Sequence, residues 1–156
     1  MHYDDRDLPL TTESAEAAKH FNNTINNYLE YRSGAMGALK QTLEADPGFV
    51  MAHCMMGYLM MLFGSNVMND KVEKSLAKAE VGADKATWRE QAHVKALRAW
   101  LGGNTAKSNA IWDEILVEHP TDILALRLQH FNIFWMGRNQ LLRDGVARVF
   151  GAWGED

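Results

Sequence analysis

WDEILVEHPTDILAL, residues 112–126, is an apolar run, a His-Pro break and a second apolar run. An earlier stretch, LKQTLEADPGFVMAH (39–53), aligns with it on Pro47 and Pro120. Leu43 then matches Leu116, four residues before each proline, and Leu39 matches Trp112, eight before. The separation of the two prolines exceeds two periods of about 34 residues by roughly five. An insertion in the polar stretch between Gly64 and Thr87 accounts for the surplus.

A period of about 34 residues is that of tetratricopeptide helical hairpins. With Pro120 at position 32, one unit covers 89–122 and the next 123–156; counting from Pro47 gives 16–49 and a longer unit, 50–88. Gly64, Gly103 and Gly137 then share one phase, position 15. A turn between the two helices of a unit belongs there, and glycine permits the positive φ such a turn uses. Position 8 requires a small residue where helices touch. Gly57 and Ala96 supply it, whereas His130 occupies it in the last unit and breaks the rule.

Helical spacing recurs along the chain and sustained strand alternation does not. Eight helices are predicted. The first runs from about Glu13 to Tyr31 behind Thr11 or Thr12, and the second to Ala45 behind Ser33. Asp46-Pro47 reads as a cap followed by proline at the first helical position, opening a third helix that ends at Gly64. The fourth covers about Asp70 to Val81. Thr87 and Glu90 form a capping box for the fifth, which ends at Gly102-Gly103. The sixth runs from Thr105 to Glu118, the seventh from Thr121 or Asp122 to Gly137, and the eighth from Gln140 to about Phe150. A unit of this kind cannot bury its own apolar face, so stacking on a neighbour does it. The expected fold is all-α: helical hairpins of the tetratricopeptide kind, stacked in a right-handed superhelix and forming a single domain over 1–156.

The bulk properties agree. The chain has 156 residues, 47% hydrophobic and 23% charged, with a net charge of −4. No Lys/Arg block is present, which argues against nucleic acid as a partner. The single Cys54 can form no internal disulfide. The opening MHYDDRDLPL lacks the basic and apolar regions of a secretory signal, and the apolar stretch FVMAHCMMGYLMMLFG is short for a membrane span. The expected location is the cytoplasm, where the Asn22 glycosylation sequon would be silent.

REQAHVKALRAWLGGN, AIWDEILVEHPTDILALRLQHFNIFWMGR and LRDGVARV resemble the tetratricopeptide repeat protein 38 family, in a bacterial-type member. LPLTTESAEAAKHFN and ADPGFVMAHCMMGYLM are similar to that family's N-terminal portion, so the resemblance runs from Leu8 to Trp153. Family members are much longer and continue with further helical pairs. The resemblance therefore implies the N-terminal part of a longer architecture, or a short member. It also implies a surface at FNIFWMG and VARVFGAW left for a further unit, through which the chain would self-associate. It implies the fold far more than any biochemical role.

Chemistry-bearing motifs are sparse. Glu90 and His93 lie three apart, a spacing that di-iron bundles use twice with further glutamates; one copy occurs here, with no His-x-x-x-His. The capping box explains Glu90, and no metal or cofactor is expected. His119 occupies the turn place held earlier by Asp46. The methionines of MMGYLMML read as core packing before they read as an adaptable binding surface. No phosphate loop, nucleophile elbow or zinc motif is present, and Cys54 has no neighbouring base.

Positions 2, 5, 9, 12 and 13 of each unit would face the inner wall. They name a partner groove at Tyr58, His93, Leu97, Trp100, Arg127, Phe131 and Trp135. The wall is apolar and aromatic, and Arg127 alone is too little for a clamp on a peptide's terminal carboxylate. The expected function is a non-enzymatic interaction or scaffold module binding an unidentified peptide or protein. The alternative is a small-ligand binder or enzyme built on three inner-wall imidazoles, His53, His93 and His130.

Overall fold

Helix starts and stops fall close to where capping chemistry places them. A computed structural model of the chain describes residues 1–154; Glu155 and Asp156, the end of the fourth expected unit, lie outside the described residues. A short antiparallel hairpin, β1 (His2–Tyr3) and β2 (Pro9–Leu10), precedes eight helices. These are α1 (Ala15–Leu29), α2 (Ala35–Ala45), α3 (Val50–Met61), α4 (Asn69–Ala83), α5 (Trp88–Leu101), α6 (Thr105–Glu118), α7 (Ile123–Trp135) and α8 (Asn139–Val149). The described chain is thus all-helical apart from one minor two-stranded sheet.

Each cap satisfies backbone N–H groups that the helix cannot. Ser14, not Thr11 or Thr12, caps α1 by accepting from the Ala17 N–H. Thr87 and Glu90 form the full capping box at α5. Asn104 caps α6 and Asp122 caps α7 through the Ala125 N–H at 2.9 Å. Two expectations fail. Ser33 caps nothing: α2 starts behind Gly34 with no side-chain bond. Asp46-Pro47 does not open α3, which starts at Val50; Asp46 is instead the C-cap of α2 and turns the chain by accepting from the Gly48 N–H. His119, its counterpart, is likewise the C-cap of α6.

The helices pack in consecutive pairs, α1 on α2, α3 on α4, α5 on α6 and α7 on α8, with neighbouring pairs in contact. Gly64, Gly103 and Gly137 close the first helix of three pairs at φ of 66°, 80° and 68°. Gly57 does serve a close approach, but not within its own pair. A Cβ there would lie 2.5 Å from Cδ2 of Leu97, on α5. The pair-internal approach belongs to Gly82 of α4, where a Cβ would meet Val50. In the last pair the roles are exchanged: the large His130 is on α7, and the space for it is left by Gly145 on α8.

One continuous core holds the pairs together, with Phe21, Leu39, Met55, Leu76, Leu97 and Trp112 among its fully buried members. Met51 and Met55 are in that core and Met60 and Met61 pack against it, which is the packing role expected of the methionines. Two connections cross between non-neighbouring pairs. The N-terminal segment buries Leu8 and Leu10 and reaches α5, where the Thr11 N–H and hydroxyl donate to Glu90 and Arg89 donates to the Pro9 carbonyl at 3.0 Å. At the other side Arg127 of α7 donates to the Tyr31 hydroxyl, just beyond α1, at 2.7 Å.

Candidate functional site

The inner-wall positions divide by depth. Along α3 as far as Tyr58 and along α5 as far as Leu97 they are sealed: Met51, Cys54, Tyr58, Glu90, His93 and Leu97 expose nothing to solvent. Tyr58, His93 and Leu97, expected in an open groove, therefore belong to the core, and Trp100 is all but buried beside them. The N-terminal segment closes over Arg89 and Glu90, and α6 inserts Trp112 against Tyr58, their rings 6.0 Å apart.

A polar network occupies this sealed interior. Asp122 accepts from Arg89 Nη1 at 2.9 Å and lies 3.0 Å from Nε2 of His93. On the other edge of the imidazole, Nδ1 is 3.0 Å from the Tyr58 hydroxyl, which donates to the His93 carbonyl and accepts from Trp112 Nε1. Burial alone would push the Asp122 carboxyl up. The charges of His93 and Arg89, with hydrogen bonds from His93 and the Ala125 N–H, outweigh it and hold the carboxyl far below the usual carboxylate range. Burial also raises the Tyr58 phenol and, with Glu90, the Cys54 thiol well above their ordinary values. A thiol held protonated in this way is no nucleophile. Acid, imidazole and phenol form a chain that is buried throughout, so the chain ties α3, α5, α6 and α7 together.

The three imidazoles named as an alternative site do not share partners. His53 is in the first turn of α3, its Nε2 2.8 Å from the Pro47 carbonyl in the turn before that helix, and its pKa is lowered by burial and by Lys78. His93 is in the sealed network. His130 packs under Gly145, and burial, then Arg127, lowers its pKa. Glu90 and His93 are also separated in function: Glu90 bonds Thr11 and Thr87 while His93 bonds Asp122. Among the described residues no group of three His, Cys, Asp or Glu side chains is placed to hold a metal ion.

Toward the C-terminal ends of α3 and α7 the wall opens. Two adjoining cavities share Leu62 and Phe131. One, of about 740 Å³, lies between α7, α8 and the end of α1, with Arg127, His130, Tyr28 and Tyr31 on its wall. The other, of about 630 Å³, runs past Trp100, Trp135 and Met136 to the turn at Gly64. Around them stand Phe63 at 69% exposure, Phe134 at 60% and Trp135 at 72%. Exposed large aromatics are ordinary one at a time, but three beside one trough form a patch of the kind that binds. The groove thus keeps Trp100, Arg127, Phe131 and Trp135 of the expected set, with Phe134 of the same phase, and gains Tyr28, Tyr31 and Phe63. Tyr28 and Tyr31 lie in the first pair, which no nearest-neighbour stacking rule brings against α7.

No protein-family model and no solved structure matches the chain. No helix among the described residues is long and apolar enough to cross a membrane.

Proposed function

We propose that this protein is a non-enzymatic interaction module whose four helical pairs stack as a tetratricopeptide-like superhelix. It binds an apolar peptide segment along the trough at Leu62 and Phe131. The observation that carries the reading is the exposed triad of Phe63, Phe134 and Trp135 around two adjoining cavities. Aromatic anchors beside an apolar trough are what peptide-binding helical surfaces present. The resemblance to the tetratricopeptide repeat protein 38 family and the glycine register support the same architecture.

A catalytic reading on His53, His93 and His130 has less behind it. Their hydrogen-bonding surroundings differ, and the buried acid, imidazole and phenol have no open face toward a substrate.

A peptide array probed with the wild-type chain and with Phe134→Ser and Trp135→Ser tests the proposal. Both residues are exposed, so both variants should fold as the wild type does. Bound apolar peptides should be weakened about tenfold or more by either change, the size of effect expected at an aromatic anchor. An array with no binders, or binders indifferent to both substitutions, removes the reading. Light scattering at two concentrations reports separately whether the patch instead seats a second copy of the chain.

A further inference from the structure

The larger cavity has a property that a purely apolar trough does not need. Its wall carries Arg127, His130 and Arg143 and no carboxylate, in a chain whose net charge is −4. Arg143 is turned outward onto Asp144, with Nη2 2.8 Å from the carboxylate, and is largely neutralised there. Among the described residues Arg127 has no acidic partner. Its Nη2 donates to the Tyr31 hydroxyl, and its charge lies 5.9 Å from the centre of the Tyr31 ring. Its Nε is sealed from solvent, as is Nε2 of His130, which packs under Gly145. A guanidinium on the cavity wall, held in place by a phenol and without an acidic partner among the described residues, can receive an anion.

Around that polar corner the wall is apolar: Leu62, Phe131, Phe134, Leu142 and Val146. The volume of about 740 Å³ lies within the range of small-ligand sites, which combine apolar walls with a few converging polar groups. We infer that this cavity binds a small monocarboxylate with an apolar body, its carboxylate on Arg127 and its body along Leu62, Leu142 and Val146. A carboxylate fits better than a more highly charged anion, because a single unpaired guanidinium faces it. The site overlaps the peptide trough at Leu62, Phe131 and Phe134 and goes beyond that reading in its ligand. It uses the α8 side of the trough, whereas the peptide anchor Trp135 lies on the other.

Calorimetric titration with decanoate, and with decanol as the uncharged counterpart, tests the assignment. The wild-type chain should bind decanoate saturably at one site, and Arg127→Met should weaken it about tenfold or more, the scale of a charge-assisted hydrogen bond. Decanol should show no preference for the wild type over Arg127→Met. Because Arg127 also bridges to Tyr31, Val146→Glu supplies a second variant. Val146 is 42% exposed, so a glutamate there is tolerated while placing a negative charge in the cavity; decanoate binding should be lost. The inference is overturned by any one of four results: no saturable binding to the wild type, undiminished binding to Arg127→Met, undiminished binding to Val146→Glu, or decanol binding as tightly as decanoate. Peptide-array results with Trp135→Ser bear on the other reading alone, so the two can fail separately.

Discussion

The carboxylate of Asp122 lies 3.0 Å from Nε2 of His93, and neither side chain reaches solvent. The same aspartate caps α7 with its other oxygen, so one residue starts a helix and anchors the buried polar network. Asp122→Asn keeps the size and part of the cap but removes the charge that answers Arg89, which is itself 2% exposed. Breaking one member of such a buried pair costs about 3–5 kcal/mol. Urea unfolding of Asp122→Asn should show a loss of that order. A loss under about 1 kcal/mol would mean the network is not holding the helices together.

Acid should destabilise the fold in two stages. His53 and His130 have folded pKa values below their ordinary one, so the stability they contribute is present above about pH 6.5 and falls as pH drops below it. Asp122, held far below the carboxylate range, contributes stability that is present above about pH 4 and is lost as pH falls further. Asp4 acts with the opposite sign, since burial raises its pKa despite hydrogen bonds from Leu8 and Arg6, and it offsets part of the second stage. The urea midpoint should therefore decline between about pH 7 and pH 5 and again below about pH 4. Asp122→Asn should lack most of the second decline. A midpoint flat over this range would contradict the assignment.

The turn glycines give a cleaner energetic test. A Cβ at Gly64, Gly103 or Gly137 would meet nothing within 4 Å, so the cost of alanine there is purely that of a positive φ. Each Gly→Ala change should cost about 1–2 kcal/mol, and asparagine at the same places should cost less. Gly57→Ala has a different origin, contact with the end of Leu97. Pairing it with Leu97→Ala should relieve the strain, whereas no second substitution should rescue Gly103→Ala. Thermal melts of the single and double variants distinguish the two.

Two tryptophans separate core from surface. Trp112 is fully buried and donates to Tyr58, so Trp112→Ala should cost about 3–5 kcal/mol. Trp135 is 72% exposed, and Trp135→Ala should stay within about 0.5 kcal/mol while acting on peptide binding. Equal losses of stability from the two would refute the division of the inner wall into a sealed and an open half.

The local chemistry explains which features could be read in advance. Helix ends followed from caps and turns because those are set by residues a few positions apart: the Thr87–Glu90 box, the α6 span and the three glycines all stand where the spacing puts them. The inner wall did not follow, because repeat phase gives a direction and not a depth. Positions 5 and 9 of the second and third expected units are buried, because Asp122, Trp112 and the N-terminal segment fill the space in front of them. Nothing in the spacing of Arg89 or Glu90 announces that both would be buried, since their partners come from Pro9, Thr11 and Asp122. Likewise, the room for His130 comes from Gly145 on the facing helix, fifteen residues on, which repeat phase does not encode.

The two connections between distant pairs change how the chain should fold. In an open array each unit leans on its neighbours, and unfolding can begin at an end and spread. Here hydrogen bonds span 79 residues from Thr11 to Glu90, 80 from Pro9 to Arg89, 96 from Tyr31 to Arg127 and 115 from Arg6 to Thr121. Each fastens a long loop whose closure must precede its reward. Contact order is raised accordingly, and folding should be slower than helix content alone would suggest. Fraying from the N-terminus is opposed as well, because the first residues are held by the third and fourth pairs. The chain should therefore melt as one cooperative body, and an internal pair could not be cut out or duplicated without unfastening its ends.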